Sequence, residues 1–384
     1  LGLDRAGQPL TPIFTWADAR CAEDAAYLRK KFDEREIQQR TGCMLRASFW
    51  PAKLLWLGRT RSPLFRRVNR WVSPAEWIFE QSFGVAACNH SMASGTGLYN
   101  FARRDWDEEL LEVCGLTRSQ LNPLCDKVKS DHFTVYSAIG DGAASNLGSG
   151  ASTRGVVAIN VGTSAAVRAV TMSDARLPFG LFRFVVDEKR SLVGGAVSNA
   201  GNLRAWCLRE LSLPNDEGAV EKILRQSSAG SASLTILPFW VKERAPTWPE
   251  HLDGVIHGLT QASTAADLLQ AATTAVCHRL ADILAQLEST IGRAKKIVVS
   301  GGILQSPASL QMLADSLGRN LHPCADQEAS LRGAAVYALE RSGVRIPAPK
   351  FRQQIRPHRA KAAQARAERS RQKELESLLC LRSP

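Results

Sequence analysis

Cysteine is sparse and unpatterned in this 384-residue chain: nine residues, scattered, odd in number and nowhere spaced Cys-x-x-Cys. That argues against a zinc site or a disulfide framework and fits reduced thiols in a cytoplasm. Long apolar runs are missing too. None nears the ~20 residues that span a bilayer, and no basic stretch followed by an apolar one opens the chain as a signal peptide would. No membrane partner is expected. Neither familiar phosphate fingerprint is present, Gly-x-x-x-x-Gly-Lys-Ser/Thr or a strand-linked Gly-x-Gly-x-x-Gly, so a nucleotide site here must be of another type. No Gly-x-Ser-x-Gly elbow supports a serine hydrolase. The seven histidines do not cluster at metal-ligand spacing, so no protein metal site is expected. There is no initiating Met: the chain opens Leu1-Gly2-Leu3-Asp4, as a fragment or an internal start would.

What is present is the composition of a soluble globular protein, 45% apolar and 22% charged, at a length that suits two domains. The net charge of +12 invites a nucleic-acid reading. Its distribution argues against one. Residues 346–384 hold ten Lys/Arg against three Glu, so +7 of the +12 sits in the tail, without the interleaved aromatics that stack bases. The pattern from Arg359 to Leu379 reads as a charged helix, with a solvated face favoured over polyanion binding. No nucleic-acid partner is expected.

Residues 1–15 read as a hairpin turning at Asp4-Arg5-Ala6-Gly7. Helical periodicity runs from about Ala22 to Phe32. Ser73-Pro74-Ala75-Glu76 opens another helix, with Ser as cap, Pro at the first helical position and Glu at the third. Asp107 to Cys114 and Thr117 to Leu121 are short and helical. Residues 139–155 are rich in Gly, Ala and Ser. Two buried strands follow, Val156 to Val161 and Ala165 to Val170, joined by Gly162-Thr163-Ser164. Further strands (182–186, 234–237, 296–299) alternate with helices (199–211, 263–290, 308–317, 328–342), which predicts an α/β layer architecture. A domain boundary is expected near residue 150.

Three glycine-rich points adjoin strands: Gly140-Asp141-Gly142, Gly162-Thr163-Ser164 and Ser300-Gly301-Gly302. Without a Cβ, glycine lets backbone N–H groups approach a phosphate closely. The third point has the strand Ile297-Val298-Val299 before it and Ser306-Pro307 opening a helix after it. Strand, glycine turn and helix N-terminus make an anion or nucleotide site, or a plain tight turn; the pattern alone does not choose. A carboxylate between two glycines, as Asp141 is, either caps a turn or is held open to a ligand, and the turn is the commoner case. His278, on the 263–290 helix, reads as a core or surface histidine rather than a ligand. Five tryptophans (Trp16, Trp50, Trp56, Trp71, Trp77) fall in the first 80 residues. Core packing explains them, and an aromatic wall against a sugar ring is the functional alternative.

Taken in order, several segments resemble the FGGY carbohydrate kinases over nearly the whole chain. Trp16-Ala17-Asp18-Ala19-Arg20 is similar to the family's Trp-x-Asp-x-Arg. Ser91-Met92-Ala93-Ser94-Gly95-Thr96-Gly97-Leu98, then Arg104-Asp105-Trp106-Asp107, resembles its Ser-x-Ala-Ser-x-Thr segment. Gly140-Asp141-Gly142-Ala143-Ala144 resembles the segment of the catalytic aspartate, and Val161-Gly162-Thr163-Ser164 the second phosphate motif. Gly194-Gly195-Ala196, Leu237-Pro238-Phe239 and Glu243-Arg244-Ala245-Pro246 follow in family order. Ser300-Gly301-Gly302 through Ser306-Pro307 is similar to the adenosine motif, and Ala329-Ser330-Leu331-Arg332-Gly333-Ala334-Ala335 closes the series. The gluconate-kinase-like branch is the nearest in flavour.

The resemblance implies a two-lobed, actin-like ATPase (ribonuclease H-like) fold. Residues 1–150 would form the later part of the sugar-binding lobe, 151–345 the nucleotide-binding lobe, and 346–384 a basic helical tail. It implies a sugar or sugar acid as substrate, gluconate or a pentulose, phosphorylated from ATP with Mg²⁺ bridging the phosphates. Asp141 would be the general base; Trp16, Asp18, Arg20, Asp141 and Gly142 would meet the substrate. Gly162, Thr163, Gly301, Gly302 and Ser306 would meet the nucleotide. A homodimer is left open. The pattern departs from the family in three places. No Asp-x-Gly-Thr phosphate loop occurs, as expected if the chain starts downstream of it. Ala200 stands where the family often has Gly, and Thr273-Thr274-Ala275 where it often has Glu-Gly. The first departure implies an alternative, a non-catalytic relative acting as a binding or regulatory module.

Overall fold

A computed structural model describes residues 1–129, 134–172, 175–226, 229–326, 328–344 and 346–382. The chain divides into two compact units. The first comprises Leu1–Ala144, Thr171–Val193 and Ala334–Arg345; the second comprises Ser145–Val170, Gly194–Gly333 and Ile346–Pro384. This differs from a single division near residue 150 and a separate tail. Two later segments return to the first unit, and the tail belongs to the second.

The first unit is mostly helical. Helices Ala22–Lys31 and Trp50–Thr60 bury Leu28, Leu54 and Leu57 in one core with Tyr99, Trp106 and Leu110. The helix Pro74–Phe83 starts as its residues dictate. Ser73 Oγ accepts from the Glu76 N–H at 3.2 Å, and Glu76 Oε2 accepts from the Ser73 N–H at 2.8 Å, a complete capping box. The N-terminal hairpin closes as far as a Leu3–Pro9 bridge. Pro9 and Pro12 have no N–H for a ladder, and Gly2–Leu3 pairs antiparallel with Arg70–Trp71 instead. The returning 177–185 segment is tied in by backbone and amide bonds. Gln38 Nε2 donates to the carbonyls of Pro178 (2.8 Å) and Leu181 (2.7 Å), and the Arg183 N–H donates to Gly42 O at 2.8 Å.

In the second unit the strands lie in the order His322–Pro323, Lys296–Ser300, Val156–Val161, Ala165–Thr171, then the part of Ser191–Val197 from Gly194 on. Lys296–Ser300 is parallel to Val156–Val161, with Ser300 opposite Asn160, and Val156–Val161 is antiparallel to Ala165–Thr171. Val157, Ala158 and Ile159 are buried in succession, as a strand covered on both faces requires. The helix Ala265–Ile291 begins at a Thr264/Asp267 capping box and ends at Gly292, φ +78°. It is buried over much of its circumference, the mark of an interior helix.

The tail corrects the sequence reading. Arg359–Arg382 is a helix, but not a solvated one: Ala362, Ala365, Gln372 and Glu376 are buried. Glu376 pairs at 2.6 Å with Arg279, which is itself 1% exposed. Its first inward residues are small or polar, and only Leu375 and Leu379 add apolar packing, against Leu237, Phe239 and Leu252, so no long apolar stripe announced it. The nine cysteines are free thiols, and no helix among the described residues is long and apolar enough to cross a membrane.

Candidate active site

Asp141 is the first residue of the helix Asp141–Gly148. Its side chain is exposed, and among the described residues its carboxylate takes one hydrogen bond, from the Gly142 N–H at 2.8 Å. The backbone ahead of it is held. Gly140 N–H donates to Ser91 Oγ at 3.2 Å. Ser91 is in turn fixed by Asn89, whose Oδ1 accepts from the Ser91 N–H at 2.9 Å and whose Nδ2 donates to Ser137 O at 3.2 Å and Tyr337 Oη at 3.1 Å. Asn89, Ser91 and Ser137 are all buried. An open carboxylate therefore stands on a backbone locked by a satisfied polar network, which fixes where it points.

The other expected substrate residues are partly self-paired. Asp18 and Arg20 form a two-pronged pair, Nε–Oδ1 2.9 Å and Nη2–Oδ2 2.6 Å. The Arg20 guanidinium beside it holds the Asp18 carboxyl below the usual range. Arg20 also lies over the Trp56 ring at 4.5 Å. Trp16 is exposed, at 42%. Asp141 bonds to none of these three. Of the remaining early tryptophans, Trp71 is buried in the core, and Trp50 and Trp56 pack against it.

In the second unit, parallel pairing in register brings the ends of Val156–Val161 and Lys296–Ser300 side by side, with Asn160 Nδ2 donating to Ser300 Oγ at 3.0 Å. The loops at Gly162-Thr163 and Gly301-Gly302 are thus neighbours at the carboxyl edge of the sheet, where open α/β sheets bind ligands. Gly301 is required: its φ is +93°, and a Cβ there would lie 2.5 Å from Val161 O. The helix Gly201–Glu210 abuts the first loop, with Gly201 N–H donating to Gly162 O at 2.9 Å and Asn202 N–H to Thr163 O at 3.1 Å. Thr163 and Gly302 are exposed, and no described residue engages their N–H groups or the Thr163 hydroxyl. These are donors open to an anion.

Ser306 departs from its expected place. It is buried as the cap of Pro307–Leu317, accepting from the Ser309 N–H at 3.2 Å and donating to Glu221. Glu221 Oε2 also accepts from the Ala308 N–H at 3.0 Å. A carboxylate from a helix 85 residues earlier already occupies this helix N-terminus, so it is not an open phosphate site. Nothing local to Ser306-Pro307 could reveal that. Among the described residues no group of three or more His, Cys, Asp or Glu is poised to hold a metal. Mg²⁺ commonly arrives on substrate phosphates with few protein ligands.

Comparison with known proteins fits this geometry. The FGGY family of carbohydrate kinases matches the chain twice, its N-terminal domain over residues 1–152 and its C-terminal domain over residues 157–340. Gluconokinase of Bacillus subtilis (strain 168) is 28% identical over 370 residues, covering 89% of this chain and 72% of that protein. Glycerol kinase of Geobacter sp. (strain M21) is 30% identical over 363 residues, covering 88% and 72%. The crystal structure of gluconate kinase from Lactobacillus acidophilus superposes with a TM-score of 0.88 at 24% identity, over 98% of this chain and 82% of that one. The fold is that of the two-domain, actin-like sugar kinases. The chain belongs to the FGGY family of carbohydrate kinases, phosphotransferases acting on sugar alcohol groups.

Proposed function

We propose that the chain transfers the γ-phosphoryl group of ATP to a hydroxyl of a sugar acid or sugar, gluconate first and a pentulose second, with Asp141 as general base. The observation that carries the role of Asp141 is its state: an exposed carboxylate with one neighbouring N–H donor, on a backbone fixed through Ser91 and Asn89. Such a carboxylate is free to accept the proton of an attacking hydroxyl. Phosphoryl transfer asks little covalent chemistry of a protein; positioning and charge stabilisation dominate.

In this reading the first unit is the sugar-binding lobe, with Trp16, Asp18, Arg20 and Gly142 contacting the acceptor. Arg20 can present a cation to a sugar acid while Asp18 fixes its orientation. The second unit is the nucleotide-binding lobe. Thr163 supplies a hydroxyl and an N–H to the phosphates, Gly162 and Gly301 allow close approach, and Gly302 supplies an N–H. Ser306, its hydroxyl spent on the cap of Pro307–Leu317 and on Glu221, fixes that helix rather than meeting the nucleotide. Mg²⁺ enters with ATP and neutralises phosphate charge. The preference for gluconate rests on the gluconokinase relatives and the gluconate kinase structure.

The test is an ADP-release assay with gluconate, xylulose and glycerol as acceptors. Turnover highest with gluconate is expected. Turnover highest with another acceptor overturns the gluconate assignment, and acceptor-independent or absent ADP release overturns the kinase reading of this chain.

A further inference from the structure

A cavity of about 110 Å³ opens in the second unit, and none of Gly162, Thr163, Gly301, Gly302 or Ser306 lines it. Its polar lining includes Gln270, Thr274 and His278 from Ala265–Ile291, and Glu368 and Gln372 from the tail helix. Three buried atoms on these residues have no hydrogen-bond partner among the described residues: Gln270 Oε1, Gln372 Oε1 and His278 Nε2. Gln270, Gln372 and His278 are each no more than 5% exposed.

The chemistry of the missing partner can be read from what is already engaged. Gln372 Nε2 donates to Ile236 O at 2.8 Å and Ala275 O at 3.2 Å. Gln270 Nε2 donates to the carbonyls of Ile223 and Gln226. Both amides are thereby oriented, and each oxygen is an acceptor lacking a donor. The His278 ring is neutral at physiological pH: burial, with Arg369 and Arg371 near, pushes its pKa down to about 3. Its Nε2 stands 4.0 Å from Glu368 Oε2, beyond hydrogen-bond reach but a gap that one hydroxyl spans. An orphaned buried polar group costs about 1–3 kcal/mol, so two amide oxygens lacking donors and an imidazole nitrogen lacking a partner around one cavity point to an absent polar ligand.

We propose that this cavity binds a small neutral polyol, whose hydroxyls donate to Gln270 and Gln372 and bridge His278 to Glu368. The carboxylates of Asp315 and Glu368 outnumber Lys361 on its wall, which disfavours a phosphate ester. Met312 and Ile236 supply apolar surface for the carbon chain. At ~30 Å³ per water in the liquid, the volume corresponds to about four waters, or a polyol of about three or four carbons. The site lies apart from the proposed chemistry and would clamp the tail helix to Ala265–Ile291.

The test is imidazole nitrogen NMR of the full chain labelled at histidine, titrated with glycerol and with erythritol, His278→Gln identifying the resonance. A saturable shift of the His278 Nε2 signal is expected, weakened at least tenfold in Gln372→Leu and abolished in Thr274→Leu, which narrows the cavity at a residue that carries none of the orphaned atoms. If Gln372→Leu fails to fold, the Thr274→Leu comparison decides. A shift that rises linearly with either polyol, that persists unchanged in Thr274→Leu, or that never appears means the cavity holds water only and overturns the proposal.

Discussion

Removing the Glu376 carboxylate should destabilise the second unit more than any surface change on the tail helix. Arg279 is 1% exposed, and its guanidinium meets Glu376 Oε2 at 2.6 Å, Thr247 Oγ1 at 2.9 Å and Ala245 O at 3.3 Å, with its carbon over the Phe239 ring at 5.2 Å. Nε already lacks a partner among the described residues. Glu376→Leu leaves a buried guanidinium without its counter-charge, which costs about 3–5 kcal/mol. For a unit of roughly 200 residues that is a fall in Tm of about 10 °C, at ~2–4 °C per kcal/mol. Urea and thermal unfolding followed by circular dichroism measure it. The double variant Arg279→Met, Glu376→Leu should regain most of the loss, because exchanging a whole buried pair for apolar groups is often close to neutral. A single variant within 1 kcal/mol of the parent, or a double variant as unstable as the single, would refute the claim that the tail is an integral, charge-anchored helix.

Four further outcomes are expected. Ser91→Ala, by freeing the Gly140 N–H, should lower kcat about tenfold while leaving KM for ATP unchanged, and Ser91→Thr should restore it; steady-state kinetics with both substrates varied reads the split. Gly301→Ala should raise KM for ATP and lower stability by about 1–3 kcal/mol, whereas Gly302→Ala, whose Cβ would lie 3.9 Å from Val161 O, should fold normally. His278 binds its proton less well in the folded chain than its ordinary pKa of 6.5 allows. The unfolded chain therefore takes up a proton that the native chain refuses. Stability should be full above pH 6.5 and fall towards about pH 3 by up to ~1.4 kcal/mol per pH unit. Urea unfolding of His278→Gln should lack that part of the slope. Asp18→Asn should raise KM for the sugar acid by releasing Arg20, leaving KM for ATP alone.

Much of the fold was legible because local chemistry and the tertiary answer agree. Ser73 and Glu76 announced their capping box, and the Val156–Val161 strand falls where its unbroken apolar run predicts. The long helix expected over 263–290 is Ala265–Ile291. The Ser191–Val197 strand was not seen, because Gly194 and Gly195 interrupt its β pattern. The reason lies in the neighbouring strand: a Cβ on Gly194 would lie 2.2 Å from Val167 O. The return of 171–193 and 334–345 to the first unit is a product of long-range bonds such as Gln38 to Leu181 and Asn89 to Tyr337, which leave no local mark. For the site, Gly140-Asp141-Gly142 was visible as an unusual acid. Ser91 lay within the Ser91–Leu98 motif and Asn89 just ahead of it, but neither carried a sign that it holds the Asp141 backbone. Glu221 at the Ser306 helix was invisible for the same reason of distance.

The role of Asp141 is open to a direct measurement: kcat for phosphorylation of the best acceptor by Asp141→Asn, beside ATP affinity for the same protein. The amide keeps the shape and the Gly142 N–H contact but cannot take a proton. Loss of a general base predicts a fall in kcat of about 10²–10⁴ with ATP affinity essentially unchanged. A variant that turns over near the parent rate would show that Asp141 is a turn residue after all and that the base lies elsewhere.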